Sequence, residues 1–273
     1  MNKHTSSHGN RIFFILITLL HLPLVGQKMT ERDTPGEPLV ATFSIVGFDP
    51  ATGDLGVAVQ SKFFGVGTVV PWAKADVGAV ATQSYANITY GTEGIALLEE
   101  GLTPKEAIEH LTQNDEGSPL RQAGIVDAQG RAISFTGAQC NEWAGHVVGN
   151  HFAAQGNLLA GQSVVEDMAS SYQKAATVAG SELADWLMAA MQAGQEAGGD
   201  KRGRQSAALL VVRKDAGYDR KNDRYIDLRV EDHPTPIIEL QRLLEIHKQF
   251  YRRAHANKPK RIESAVRSSD SLR

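Results

Sequence analysis

ATFSIVGFDPATGDLGVAVQSK, residues 41–62, decides how this chain folds. Two runs of strand-forming residues, Thr42–Phe48 and Leu55–Ser61, flank Asp49-Pro50-Ala51-Thr52-Gly53-Asp54. Proline presets φ and glycine accepts a positive φ, so the gap reads as the turn of a hairpin. A threonine opens the first strand. If its amine were freed by cleavage, one residue would carry both a nucleophilic hydroxyl and a neighbouring base. Left in peptide linkage to Ala41, it is a β-former at a strand edge.

Upstream, residues 1–26 read as a secretory signal. Lys3 and Arg11 make a basic start, Ile12–Leu20 an apolar run, and Gly26 a small residue at the end. The run is shorter than the roughly 20 residues a membrane helix needs. Export to the periplasm or the exterior is therefore expected, with no stable membrane insertion after signal cleavage. Residues 27–40 are polar and contain Pro and Gly, as a linker does.

Downstream, composition bounds the possibilities. The 273 residues are 42% hydrophobic and 22% charged, which suits one domain, here residues 41–232, with tails. A net charge of −3 gives no pull toward nucleic acid. Cys140 is the single cysteine, which excludes an intrachain disulfide and a cysteine-based zinc site. His146, His151 and His233 lack a metal-ligand spacing, and Gly198–Gln205 lacks that of a phosphate loop, so neither metal nor cofactor is expected.

Further strands are predicted at Gly65–Val70, Val77–Gln83, Ala123–Asp127, Ala132–Thr136, His146–Ala154, Ser206–Val212 and Tyr225–Val230. Helices are predicted after the capping boxes Thr103-Pro104-Lys105-Glu106 and Ser163-Val164-Val165-Glu166, and over Ser181–Ala193. A C-terminal helical segment covers residues 233–251, and the basic stretch 252–273 reads as disordered. Strands cluster with helices between the clusters. That pattern predicts an α+β fold of antiparallel sheets covered by helices.

Polar, glycine-rich segments sit at the strand ends, where scaffolds display sites. TFSIVGFDPATGDLGVAVQSK, VPWAKADVGAVATQSYAN, RQAGIVDAQGRAISFTG, CNEWAGH, QGNLLAG and GGDKRGRQSAALLVV together resemble the bacterial domain-of-unknown-function family 1028. Its fold is similar to that of the N-terminal-nucleophile (Ntn) hydrolases. The resemblance implies a four-layer αββα sandwich and puts the nucleophile at Thr42. It implies a cation near the freed amine, with Lys62 and Lys74 as candidates. Oxyanion donors are sought in Gln83, Ser84 and Asn87, the catalytic set being completed by Gln83 and Asn87. Substrate binding is expected at Ser61, Ser84, His146, Asp200, Arg202, Arg204 and Gln205. The implied partner is a small-molecule or peptide-like amide. Cell-wall fragments are included, because Asp232-His233-Pro234-Thr235-Pro236 is similar to the start of a peptidoglycan-binding-like segment found in some relatives. A homo-oligomer is a further expectation by analogy. Two other readings stand beside this one: a Cys140–His146 pair, and a non-catalytic binding or assembly protein reusing the fold.

Overall fold

The turn of the first hairpin satisfies its own polar groups. Asp49 accepts from the Ala51 amide (2.9 Å) and the Thr52 hydroxyl (2.8 Å), and Gly53 takes a φ of 79°. The strands then run in register from Thr42 opposite Ser61 to Asp49 opposite Asp54, all of them buried. The computed structural model describes Met1 and residues 39–256, with side chains as far as Tyr251. The expected signal, the linker up to residue 38 and the tail from residue 257 lie outside the described residues.

In chain order the elements are β1 (Leu39–Val40), β2 (Thr42–Asp49), β3 (Asp54–Ser61), β4 (Pro71–Lys74), β5 (Gly78–Tyr85), α1 (Thr89–Glu99), α2 (Pro104–Gln113), β6 (Arg121–Asp127) and β7 (Ala132–Thr136). There follow β8 (Gly145–Gly149), β9 (Phe152–Gly156), α3 (Ser163–Ala176), α4 (Leu183–Glu196), β10 (Ser206–Val212), β11 (Arg224–Val230) and α5 (Pro236–Ala256). One sheet has the order β1-β5-β6-β7, with β4 also on β5. The other has the order β11-β10-β3-β2-β9-β8. Every pairing between these strands is antiparallel.

Alternation along the strands sorts side chains into three cores, one for each interface of a four-layer sandwich. Phe43, Ile45 and Ala58 face α3, α4 and α5, meeting Met168, Leu187 and Leu240. Val46, Val57 and Val59 face the other sheet and meet Ala79, Ala81 and Val126. On the far side of that sheet, Val80 and Ile125 pack under α1 and α2 against Tyr90, Ile108 and Leu111. The fold is thus the expected α+β sandwich of two antiparallel sheets between helical layers.

Several local expectations change. Gly65–Val70 is no strand: Gly65 adopts a left-handed φ of 65° and starts a 3-10 turn over Val66–Thr68, whose Val66 is buried nonetheless. The expected strand His146–Ala154 is two, β8 and β9, because His151 at φ 68° reverses the chain between them. Ser163 does not cap α3; it is the first helical residue, and the Gln162 side chain donates to Glu166 instead (2.7 Å). The last two residues of the expected linker form β1, and α5 continues five residues past its expected end. The capping box at Thr103 is present, with Thr103 N donating to Glu106 (2.7 Å) and Glu106 N to the Thr103 hydroxyl (3.2 Å).

Sequence patterning misses α1 because glycine weakens a helix. Gly91 is there to admit a neighbour: a Cβ would lie 2.3 Å from the Trp72 indole on β4. Gly91→Ala should therefore lower stability by about 1–3 kcal/mol despite its better helix propensity. A urea midpoint equal to or above that of the parent chain would show that Trp72 moves aside freely.

Candidate active site at the Ala41–Thr42 junction

β1 belongs to one sheet and β2 to the other, with Ala41 alone between them. Leu39 lies opposite Tyr85 and Val40 opposite Ser84 on β5, whereas Thr42 lies opposite Ser61 on β3. The chain must cross between sheets at Ala41, and it does so fully buried: Ala41 and Thr42 are 0% exposed. The Thr42 hydroxyl donates to the Val40 carbonyl (2.7 Å). The Ala41 carbonyl accepts from the Ser61 hydroxyl (2.6 Å) and from Arg202 Nη2 (2.6 Å).

Arg202 is aimed by Asp200. The guanidinium donates through Nε to Oδ1 (3.1 Å) and through Nη2 to Oδ2 (2.8 Å). Asp200 is buried, and it also accepts from the amides of Arg202 (2.9 Å) and Lys62 (3.1 Å). Glycines 198, 199 and 203 take positive φ and wind the loop around this carboxylate. The loop is anchored by the Lys201 amide on the Leu158 carbonyl (3.0 Å).

Behind Thr42 the space between the sheets is polar. The Thr42 carbonyl accepts from the Asn157 amide (3.0 Å) and, at 3.4 Å, from Gln83 Nε2. Gln83 Oε1 accepts from the Ser44 hydroxyl (2.6 Å), which accepts from Gln155 Nε2 (2.7 Å). Gln122 Oε1 accepts from Gln83 (2.8 Å) and Asn157 (3.0 Å). Gln122 Nε2 donates to Thr136 Oγ1 (3.0 Å), which contacts His146 Nδ1 (2.8 Å). His146 opens on a surface cavity of about 530 Å³ that Cys140 and Trp143 also line. Burial lowers the His146 pKa, favouring the neutral ring.

Of the residues singled out in the sequence, Ser61, Gln83, Asp200 and Arg202 meet at the junction. Lys62 is next to it in the backbone, but its ammonium points to the Arg204 carbonyl (3.5 Å). Ser84, at a left-handed φ of 71°, sits opposite Val40. The Gln205 amide donates to the Ser61 carbonyl (3.1 Å) and steadies the strand end. His146 reaches the junction only through Gln122 and Thr136.

Three residues are not brought there. Lys74 pairs with Gly78, at the opposite end of β5 from Val40, and forms an exposed ion pair with Glu99. Asn87 holds the start of α1 through the Thr89 amide (3.1 Å). Arg204 lines a separate cavity of about 280 Å³ with Gln195 and Ile237. The Cys140–His146 pair is not formed either. The buried Cys140 thiol donates to the Arg121 carbonyl (3.3 Å), and burial raises its pKa. Ser44, Gln122, Gln155 and Asn157 escape sequence reasoning. Their signal is a polar residue at an inward position of an otherwise apolar strand or just beyond its end, as in TFSIV and FAAQGN.

The model of a family of unknown function, DUF1028, matches residues 42–240. The chain belongs to this family. A solved member, protein SPO2555 from Silicibacter pomeroyi, is 31% identical over 76% of this chain and 85% of its own, with a TM-score of 0.67. HslV from Trypanosoma brucei matches at 11% identity over 63% of this chain and 99% of its own, with a TM-score of 0.38. Anbu, an ancestral β-subunit from Yersinia bercovieri, matches at 11% over 80% and 98%, with a TM-score of 0.37. Superpositions that weak bear no argument about this family member. Among curated proteins none matches the chain. Among the described residues, no helix is long and apolar enough to cross a membrane.

Asp200 is the side chain on which the junction rests. Asp200→Ala should lower the unfolding free energy by about 2–3 kcal/mol, less than for a fully buried pair, because the Arg202 side chain is 29% exposed. Asp200→Asn should recover part of the loss, since its carbonyl oxygen still accepts. Urea titration measures both; an unchanged midpoint for Asp200→Ala would show that solvent replaces the carboxylate.

Proposed function

We propose that this protein is the uncut form of an N-terminal-nucleophile amide hydrolase, and that opening the Ala41–Thr42 bond activates it. The observation carrying the reading is the pair of donors on the Ala41 carbonyl oxygen, Ser61 Oγ and Arg202 Nη2, each at 2.6 Å. Both polarise the carbonyl, and Arg202 brings positive charge to the oxygen that becomes negative when the carbon is attacked. The resemblance to Ntn hydrolases puts the nucleophile at the same residue.

The Thr42 hydroxyl oxygen closes a five-membered ring on the Ala41 carbonyl carbon. The carbon–nitrogen bond then breaks, and the nitrogen takes the proton that the hydroxyl gave up. An ester between Ala41 and the Thr42 oxygen results. Water hydrolyses it to an Ala41 carboxylate and a free Thr42 hydroxyl. The amine now beside that hydroxyl is the base that the bonded residue lacks. In the mature enzyme Thr42 attacks a substrate amide, Ser61 and Arg202 receive the oxyanion, and Asp200 keeps Arg202 in place. Gln83 holds the Thr42 backbone. Lys62 is the first cation along the chain after Thr42. The substrate is a small or peptide-like amide, met outside the cytoplasm because residues 1–26 have the pattern of a secretory signal.

Intact mass and amino-terminal sequencing of the purified full chain test the proposal. The mature terminus is expected at Thr42. Thr42→Ala should stay uncut, Thr42→Ser should still cut, and Arg202→Ala should slow cutting about 10²–10³-fold. A folded parent chain that keeps its residues upstream of Thr42 through prolonged incubation would overturn the enzyme reading and favour a binding or assembly protein.

A further inference from the structure

One edge of β5 serves two partners. β4 pairs with Gly78 to Ala81, and β1 with Ser84 and Tyr85, while β6 covers the other edge. Once cut from Thr42, the segment ending at Ala41 is held, among the described residues, by the short β1 pairing, by Val40, which is 2% exposed in the core between the sheets, and by the hydrogen bonds to the Val40 and Ala41 carbonyls. Its departure leaves the Ser84–Tyr85 backbone unpaired, an edge that accepts an extended chain. The same departure frees the Ser61 hydroxyl and one Arg202 donor.

We infer that the slot filled by Leu39-Val40-Ala41 is the acyl-side substrate site of Thr42. Its substrate is an extended peptide with a branched apolar residue followed by a small uncharged one at the cleaved carbonyl. The inference rests on the reading of Thr42 as nucleophile and adds the substrate class. The backbone edge selects a peptide, because an amide without a backbone would leave it unpaired. The Val40 position selects an apolar side chain, since it opens into Val46, Val59 and Ala81. The Ala41 position selects a small one. Ala41 is wholly buried, and two donors fix its carbonyl, so a larger side chain cannot shift outward without losing them. A charged side chain there would be buried without a partner. In the uncut chain the protein's own segment fills the site and excludes substrate.

The test uses the full chain carrying Thr42→Ala, with and without Val40→Ser, so that binding is read without any bond being cut. Val40→Ser removes the apolar anchor of β1 and opens the slot. The probe is a fluorescent acetyl-Pro-Leu-Val-Ala-amide peptide, followed by anisotropy. Binding should be at least about tenfold tighter to the Val40→Ser chain, and at least about tenfold weaker when Arg replaces the peptide's alanine. Should Val40→Ser lose its cooperative melt, Leu39→Pro at the rim loosens β1 by removing a backbone donor. Equal binding with and without the loosening substitution, or equal binding of the Ala and Arg peptides, overturns the inference. Processing at Thr42 is scored separately by mass, so failure of the substrate inference is told apart from failure of the nucleophile reading on which it rests.

Discussion

The Ala41 carbonyl is an acceptor that no strand can satisfy. β1 is committed to one sheet and β2 to the other, so the residue between them has left the first ladder and not yet joined the second. A buried carbonyl without a partner costs about 1–3 kcal/mol, so side chains must supply what the backbone does not. Ser61 reaches it from the neighbouring strand end, and Arg202 from a loop. Arg202 in turn requires a carboxylate, and Asp200 requires a loop tight enough to give it amides, which the positive-φ glycines allow. The site residues of that loop follow from one crossing of the chain between two sheets.

The sandwich is consequently asymmetric along its strands. Toward the first hairpin's turn, Val46, Phe48 and Leu55 fill the gap between sheets with apolar side chains. At the Thr42 end the inward positions are Ser44, Gln83, Gln122 and Gln155, linked by hydrogen bonds shorter than 3 Å. A polar core of this kind holds position through directional bonds rather than through packing alone. It also leaves acceptors unused, Gln155 Oε1 and Asn157 Oδ1 among them. The polar end is where the crossing occurs, and the apolar end seals the opposite side.

Local chemistry made much of the fold legible. The first hairpin, the strands Ala132–Thr136 and Ser206–Val212, and the capping box at Thr103 carry their own turn or cap residues, and the structure reproduces them. What was not legible depends on partners remote in the chain. β1 is too short to have a periodicity, and it is a strand only because β5 has a free edge beyond β4. α1 contains Gly91, whose reason is Trp72 on another element. His146–Ala154 has the composition of one strand, and only the left-handed His151 divides it. The site divides in the same way. Ser61, Asp200 and Arg202 sit in segments whose glycines and strand ends announce them, whereas Gln122 and Asn157 look like ordinary polar residues until the second sheet is laid over them.

Lys74 shows how register, rather than distance along the chain, decides which residues meet. The family resemblance offers it as a cation beside Thr42, but β4 pairs with the Gly78 end of β5 and places it at the far end of that strand from Val40. The positive charge at the junction is supplied instead by Arg202, whose guanidinium has donors but no acceptor and so does not serve as a base. That division of labour has a mechanical consequence. A fixed cation suits a carbonyl that must be held and polarised, and under the proposed activation it leaves proton transfer to the amine that cleavage would free. On the proposed reading, folding assembles the electrophilic half of the chemistry first, because Ala41 needs its partners to be buried at all. On the same reading, the basic half would arise only when the bond they polarise is broken.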